Sequence, residues 1–178
     1  MRAAFVGVSL IVLLSSCASD SLSPSTGSHE SIIYEVEYVN NAWGYAHNGF
    51  YVSTAGAVHT YDIARTGQTW KDTSTGYYSA EELYLKFSHR DSLVGYIDRS
   101  TLIRVNALVE SAKCGTYSDT VCVGADMGAR TYNVYSYVPE IQRYQRMTLR
   151  LEGDWTFHNT SRSAMDLVEW LNQVISPR

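Results

Sequence analysis

Residues 32–39 alternate strictly between two sets of side chains, and a segment of this kind belongs in a β-sheet. Ile, Tyr, Val and Tyr occupy one side of the pattern, and Ile, Glu, Glu and Val occupy the other. Successive side chains of a strand point to opposite faces of its sheet. The alternation therefore predicts a half-buried strand as the scaffold of the fold.

Four further segments have strand patterns. Residues 50–52 and 58–63 are separated by a short segment that contains Gly56, which predicts a hairpin. Residues 129–138 alternate and are rich in Tyr, Thr and Val. Residues 146–151 alternate as well and are expected to pair antiparallel with them. Residues 66–76 are polar and predict a loop.

Two segments in the middle of the chain predict helices. Ser79 and Glu82 have the spacing of a capping box, followed by apolar residues, which predicts a helix over residues 80–89. A second helix is predicted over residues 101–112, with Ser100 as the candidate N-cap.

The C-terminal segment predicts the clearest helix, with Ser161 or Ser163 as its N-cap. Its apolar residues recur on one helical face: Ala164, Leu167, Val168, Leu171 and Ile175. Strands and helices segregate along the chain and do not alternate. The predicted fold class is α+β, an antiparallel sheet of about five strands with two to three helices packed on one face.

The N-terminus has the order of features found in a secretory signal. Arg2 is followed by a mostly apolar run that is too short to span a bilayer as a helix. The segment Leu14-Ser15-Ser16-Cys17 then resembles the lipobox of bacterial lipoproteins. The resemblance implies cleavage before Cys17, lipidation of Cys17 and, with Ala18 next, sorting to the outer membrane of a Gram-negative cell. The alternative is an ordinary secretory signal that is cut after Ala18.

These features divide the chain into three parts: a signal peptide over residues 1–16, a lipid-anchored tether over residues 17–30 and a single α+β domain over residues 31–178. The tether is rich in serine and almost free of apolar side chains, so it cannot build a core. A flexible coil of this length spans about 20 Å. We therefore expect a protein of the bacterial cell envelope that is attached to the membrane through its N-terminal lipid.

Two cysteines remain beyond Cys17, and export would place them in an oxidising compartment. Cys114 and Cys122 would close a small loop, and a disulfide between them would contribute about 2.5 kcal/mol. The alternative is a catalytic thiol or a pair of metal ligands. Neither cysteine has a CxxC partner or a nearby histidine, so the sequence favours the disulfide.

Several function classes lack their sequence signatures. A net charge of −4 disfavours nucleic-acid binding, which needs a basic surface. The chain contains no G-x-S-x-G, no phosphate-binding glycine loop and no H-E-x-x-H. We expect no cofactor and no metal.

Two aromatic clusters are the candidate binding segments. Residues 40–50 and residues 153–161 combine large rings with Asn, Asp and Gly. Such loops suit a glycan or a peptide, because rings stack on flat faces and amides bind hydroxyls. The candidate binding residues are Trp43, Tyr45, Asn48, Trp155 and Asn159. The alternative is that Trp43, Trp155 and Phe157 fill the core. The clusters also resemble stretches of uncharacterised secreted bacterial proteins, which implies no activity.

A catalytic alternative uses scattered residues. The fold could gather His47, His59 and His158 around Asp154 into an acid–base or metal site. The leading expectation is instead a lipid-anchored binding module with a protein partner in the envelope. The alternatives are a module that binds glycan or peptidoglycan, a small envelope hydrolase that uses His47, Asp154 and His158, and a purely structural lipoprotein.

The chain has 14 tyrosines, and a row of them exposed on the sheet would form a docking surface.

Overall fold

The computed structural model describes residues 32–175, so Cys17, the signal peptide and the tether lie outside the described residues. The strands are β1 Ile32–Asn40, β2 Ala46–Val52, β3 Ala57–Asp62, β4 Tyr77–Tyr78, β5 Arg90–Tyr96, β6 Val121–Cys122, β7 Ala129–Val138, β8 Arg143–Gly153 and β9 Trp155–His158. The helices are α1 Ala80–Ser88, α2 Arg99–Lys113 and α3 Arg162–Val174.

The strands form one antiparallel sheet, and the predicted α+β class is confirmed. The order is β5-β3-β2-β1-β7-β8-β9-β6, with β4 paired to β8 beside this path. Nine strands take part, so the expected sheet of about five was too small. The strands that the sequence did not show are either very short, as β4, β6 and β9 are, or lie at the sheet edge without alternation, as β5 does.

The predicted helices are present, with one change of cap. Ser79 and Glu82 form the capping box at the start of α1. Asp98, and not Ser100, caps α2, because its carboxylate accepts a hydrogen bond from the backbone N–H of Thr101 at 2.9 Å. Ser161 caps α3.

The helices lie on both faces of the sheet, which corrects the prediction that they pack on one. α2 and α3 cover the face that carries Tyr34. The Tyr34 hydroxyl donates to Asn106 of α2 at 2.7 Å, and its ring packs edge-on against Trp170 of α3. α1 covers the opposite face, where Leu83 and Phe87 join a second, tyrosine-rich core. The prediction failed because the glutamates of β1 suggested a solvated face.

The two cysteines beyond Cys17 are exposed, and the structure describes each of them as a thiol. The disulfide between Cys114 and Cys122 stays a prediction. Cys114 is the C-cap of α2 and its thiol faces the carbonyl of Glu110, whereas the thiol of Cys122 faces the carbonyl of Gly124. Each sulfur thus contacts the backbone of its own local segment.

Candidate functional site

The two aromatic clusters meet at one end of the sheet. Val39 at the end of β1 pairs with Ala129 of β7, and Ala129 pairs with Gly153 of β8. This pairing places the β1–β2 turn beside the β8–β9 turn. Between them lies a cleft of about 460 Å³, here called the tryptophan cleft, lined among others by Asn40, Asn41, Ala42, Asp126, Asp154 and Trp155.

Both tryptophans of this region are exposed. Trp43 follows Ala42 of the cleft and is 83% exposed, and Trp155 in the cleft wall is 55% exposed. The alternative that these two side chains fill the core is therefore wrong. Phe157 is half-buried and packs edge-on against Tyr117, with ring centroids 5.7 Å apart.

Hydrogen bonds from both turns to residues 126 and 127, which precede β7, fix the shape of the tryptophan cleft. The Asn40 amide donates to the carbonyl of Asp126 at 3.2 Å and accepts from the N–H of Ala42 at 2.8 Å. The Asp154 carboxylate accepts from the N–H of Met127 at 2.7 Å. The side chains of Asn41 and Asp126 have no hydrogen-bond partner among residues 32–175. They are the polar groups that the cleft leaves available to a ligand.

The other candidate binding residues lie elsewhere. The Tyr45 hydroxyl hydrogen-bonds the ring of His47 at 2.9 Å and accepts from the N–H of Trp70 at 3.2 Å. Asn48 is exposed on β2. Asn159 is buried, donates to the carbonyl of Ala112 at 2.8 Å and accepts from the N–H of Ser161. Its amide joins the end of α2 to the start of α3.

The structure does not bring His47, Asp154 and His158 together. His47 lies on β2, buried on the α1 face, and His158 lies on β9 beside the start of α3. Four strand spacings separate β2 from β9 in the sheet order, which amounts to about 19 Å. Only Asp154 lies in the tryptophan cleft. The geometry therefore gives no support to the predicted acid–base site.

A buried ionic cluster on the α1 face was missed at the sequence level. The ammonium of Lys86, on α1, lies 2.8 Å from a carboxylate oxygen of Glu35 and 2.9 Å from one of Glu37. All three residues are buried. A signal was present, because Lys86 falls next to Phe87 on the apolar side of α1, where a cation needs a buried partner.

Neutral side chains complete the hydrogen bonds of the two carboxylates. Tyr61 and Tyr135 each donate a hydroxyl to Glu35 at 2.7 Å, and the Asn133 amide bridges Glu35 and Glu37. His47 contacts Glu37 at 3.1 Å. Because the cluster is closed to solvent and its members bond one another, it stabilises the docking of α1 and does not form a ligand site.

The pKa values in the cluster follow from burial and charge. Burial raises the pKa of Glu37, but the charge of Lys86 and hydrogen bonds from His47 and Lys86 outweigh it and lower the pKa to about 2. Burial lowers the pKa of Lys86, but the electrostatic contributions of Glu35, Tyr135 and Glu37, together with the hydrogen bond to Glu35, outweigh it and hold that pKa well above its ordinary value. Burial and the neighbouring carboxylates raise the pKa of Tyr61. The carboxylate of Glu37, the ammonium of Lys86 and neutral tyrosines thus coexist in one core.

Gly49 makes room for this cluster. It lies on β2 between Glu37 on β1 and Tyr61 on β3. A Cβ at this position would meet the carbonyl oxygen of Val36 at 2.2 Å and the hydroxyl of Tyr61 at 3.0 Å. The absence of a side chain at residue 49 therefore lets the Tyr61 hydroxyl pass across β2 to reach Glu35.

Comparisons with known proteins do not add a family. No protein family, curated protein or solved structure matches the chain. Residues 32–175 contain no group of His, Cys, Asp and Glu suited to a metal ion. Within the same residues, every helix is too short or too polar to cross a membrane.

Proposed function

We propose that the chain is a lipid-anchored binding module of the bacterial cell envelope whose tryptophan cleft binds a glycan. The observation that carries the proposal is the meeting of Trp155 with the unbonded side chains of Asn41 and Asp126 in one cleft, next to the exposed Trp43. Indole faces stack on sugar rings, and amides and carboxylates bind sugar hydroxyls.

The size of the tryptophan cleft favours a glycan over a protein surface as its ligand. Its volume of about 460 Å³ falls within the range of small-ligand sites. A stable protein interface buries about 800 Å² of surface on each partner, which is a larger surface area than a cleft between two turns presents. The hydrogen bonds of Asn40 and Asp154 hold the loops in place before a ligand binds, which reduces the entropy lost on binding.

The anchor proposed for this module is the lipidated Cys17, followed by the tether over residues 17–30. With Ala18 after Cys17, the outer membrane is the proposed site in a Gram-negative cell. Labelling of cells with a fatty-acid analogue tests the anchor. The wild-type chain should carry the label in the membrane fraction, and Cys17→Ser should carry none. Equal labelling of the two would overturn the anchor without bearing on the cleft.

Titration calorimetry with N-acetylglucosamine oligomers of one to six units tests the glycan site in the full chain. Trp43→Ala and Trp155→Ala should each weaken binding about tenfold, the loss of one stacking contact. Tyr84→Ala is the matched control, because Tyr84 is a 73% exposed ring on α1 outside the cleft. Absence of binding by every oligomer, or equal loss in all three variants, would contradict the proposal.

A protein partner is a second candidate, supported by the edge strand β5. Among residues 32–175, β5 pairs only with β3, and it exposes Leu93, Val94 and Tyr96. An unpaired apolar edge can accept a strand from another protein. A photo-crosslinker at Val94 should capture one stoichiometric envelope protein, and Leu93→Lys should abolish the capture. A crosslink pattern that Leu93→Lys leaves unchanged would argue against this edge.

A further inference from the structure

A second cleft lies on the sheet face that α2 and α3 cover. Its volume is about 600 Å³, and Ile175, the C-cap that follows α3, lies in its wall. β1, β2, β3 and β7 form its floor. We call it the sheet cleft. It is separate from the tryptophan cleft, with which it shares no lining residue.

The floor of the sheet cleft carries opposite charges at its two ends. Arg130 on β7 pairs with Tyr38 on β1, Tyr38 pairs with Asn48 on β2, and Asn48 pairs with Asp62 on β3. These four side chains form a row across four strands. Three strand spacings separate Arg130 from Asp62, which is about 14 Å.

Both charges can bind a ligand. Glu152 is the cross-strand neighbour of Arg130, but its carboxylate is held by Arg150 at 2.5 Å. Arg130 is exposed and has no ion-pair partner among residues 32–175. One carboxylate oxygen of Asp62 accepts the backbone N–H of Arg65 at 2.9 Å, which leaves the second oxygen for another donor.

The remainder of the sheet cleft is apolar or hydrogen-bonding. Val36 and Phe50 lie one row further along the strands, and Leu171 and Ile175 of the α3 end face the same space. The exposed amide of Asn48 lies between the two charges, one strand spacing from Asp62 and two from Arg130. A ligand that fits has a negative end, a positive end, polar groups between them and at least one apolar side chain.

We propose that the sheet cleft binds a short peptide with both termini free, its carboxylate on Arg130 and its ammonium on Asp62. An extended chain spans 3.3–3.6 Å per residue, so about four residues match the separation of the charges. The amide of Asn48 then faces the peptide groups, and an apolar side chain enters the space beside Phe50 and Leu171. This ligand differs from the glycan proposed for the tryptophan cleft.

Calorimetry of the full chain in detergent with tetraleucine tests this proposal. The same peptide is titrated with its N-terminus acetylated, with its C-terminus amidated, and with both. In the wild-type protein each cap should weaken binding about tenfold, the scale of one lost charge contact. Trileucine and dileucine should bind progressively more weakly, because they cannot reach both charges.

Two variants assign the ends of the peptide. Arg130→Gln should bind the free acid and the amide equally well while it keeps its preference for a free amine. Asp62→Asn should bind the free amine and the acetylated peptide equally well while it keeps its preference for a free carboxylate. The amide oxygen of this variant can still accept the backbone N–H of Arg65. Tyr84→Ala should leave every peptide affinity unchanged. Because the peptides and the N-acetylglucosamine oligomers are titrated separately, failure of the peptide site and failure of the glycan site are distinguishable. The proposal would be overturned if no peptide bound, or if neither acetylation nor amidation changed the affinity.

Discussion

The ammonium of Lys86 lies 2.9 Å from Oε2 of Glu37, although the two residues are 49 positions apart and both are buried. The contact joins α1 to the centre of the sheet. Removing two charges from water costs several kcal/mol, and only mutual pairing and complete hydrogen bonding offset that cost. The position of α1 therefore depends on polar contacts as much as on the apolar contacts of Leu83 and Phe87.

Lys86→Met is expected to lower the free energy of unfolding by about 3–5 kcal/mol, because it leaves two buried carboxylates without their cation. Urea unfolding at neutral pH measures this loss. The exposed pair of Lys113 with Glu110 provides the control, and Lys113→Met should cost less than about 1 kcal/mol. The triple variant E35Q/E37Q/K86M should recover much of the loss. Equal costs for the two lysine variants would show that the buried pair does not stabilise the fold.

Acid should destabilise the protein over the pH range in which Glu37 becomes protonated. The pKa of Glu37 is lowered to about 2 in the folded state, so the unfolded chain binds this proton more tightly. Its contribution is complete above the ordinary carboxyl pKa and is lost as the pH falls towards 2. Urea unfolding between pH 7 and pH 2 should therefore give a shallower pH dependence for Glu37→Gln than for the wild type. Identical slopes would contradict the assignment.

Gly49→Ala is expected to lower the free energy of unfolding by about 3 kcal/mol or more, because the new Cβ overlaps the carbonyl of Val36. Gly95→Ala on the edge strand β5 is the control, since a Cβ there meets nothing within 4 Å. Its effect should stay within about 0.5 kcal/mol. Thermal or urea unfolding compares the two variants. A Gly49→Ala protein as stable as the control would exclude the close approach at this position.

Asn159→Ala is expected to lower the free energy of unfolding by about 2 kcal/mol, because the N–H of Ser161 loses its acceptor and the carbonyl of Ala112 keeps only backbone donors such as the N–H of Gly115. Binding of N-acetylglucosamine oligomers should not change. His158→Ala removes an exposed neighbour and should leave both quantities unchanged. Loss of glycan binding by a folded Asn159→Ala protein would instead show that Asn159 contributes to glycan binding, as the sequence predicted.

Periodicity made the long elements predictable. The alternation of β1, the hairpin of β2 and β3 and the apolar face of α3 are local patterns, and each is present in the structure. β5 has no alternation, because it lies at the edge of the sheet and most of its side chains face solvent. The cap of α2 was placed two residues late, because Asp98 and Ser100 both suit that role and only the backbone geometry distinguishes them.

The site was predictable only in part, since its assembly depends on pairing between distant strands. Trp43 and Trp155 were named from their own loops, but the pairing of β1, β7 and β8 is what brings those loops together. The glutamates of β1 belong to the pattern that predicted a half-buried strand, whereas Lys86 on α1 pairs with both of them in the core. The row from Arg130 to Asp62 joins four strands, and no local pattern contains it.

The central place of β1 has a consequence for the order in which the protein can fold. β2 follows β1 directly, but the other neighbour is β7, so that Glu35 meets Asn133 98 positions later in the chain. A growing chain therefore exposes one edge of β1 until residues 129–138 have emerged. Contacts between such distant segments form slowly. A chain that ends before β7 would leave its innermost strand open to pairing with other molecules, which makes the N-terminal half alone prone to aggregation.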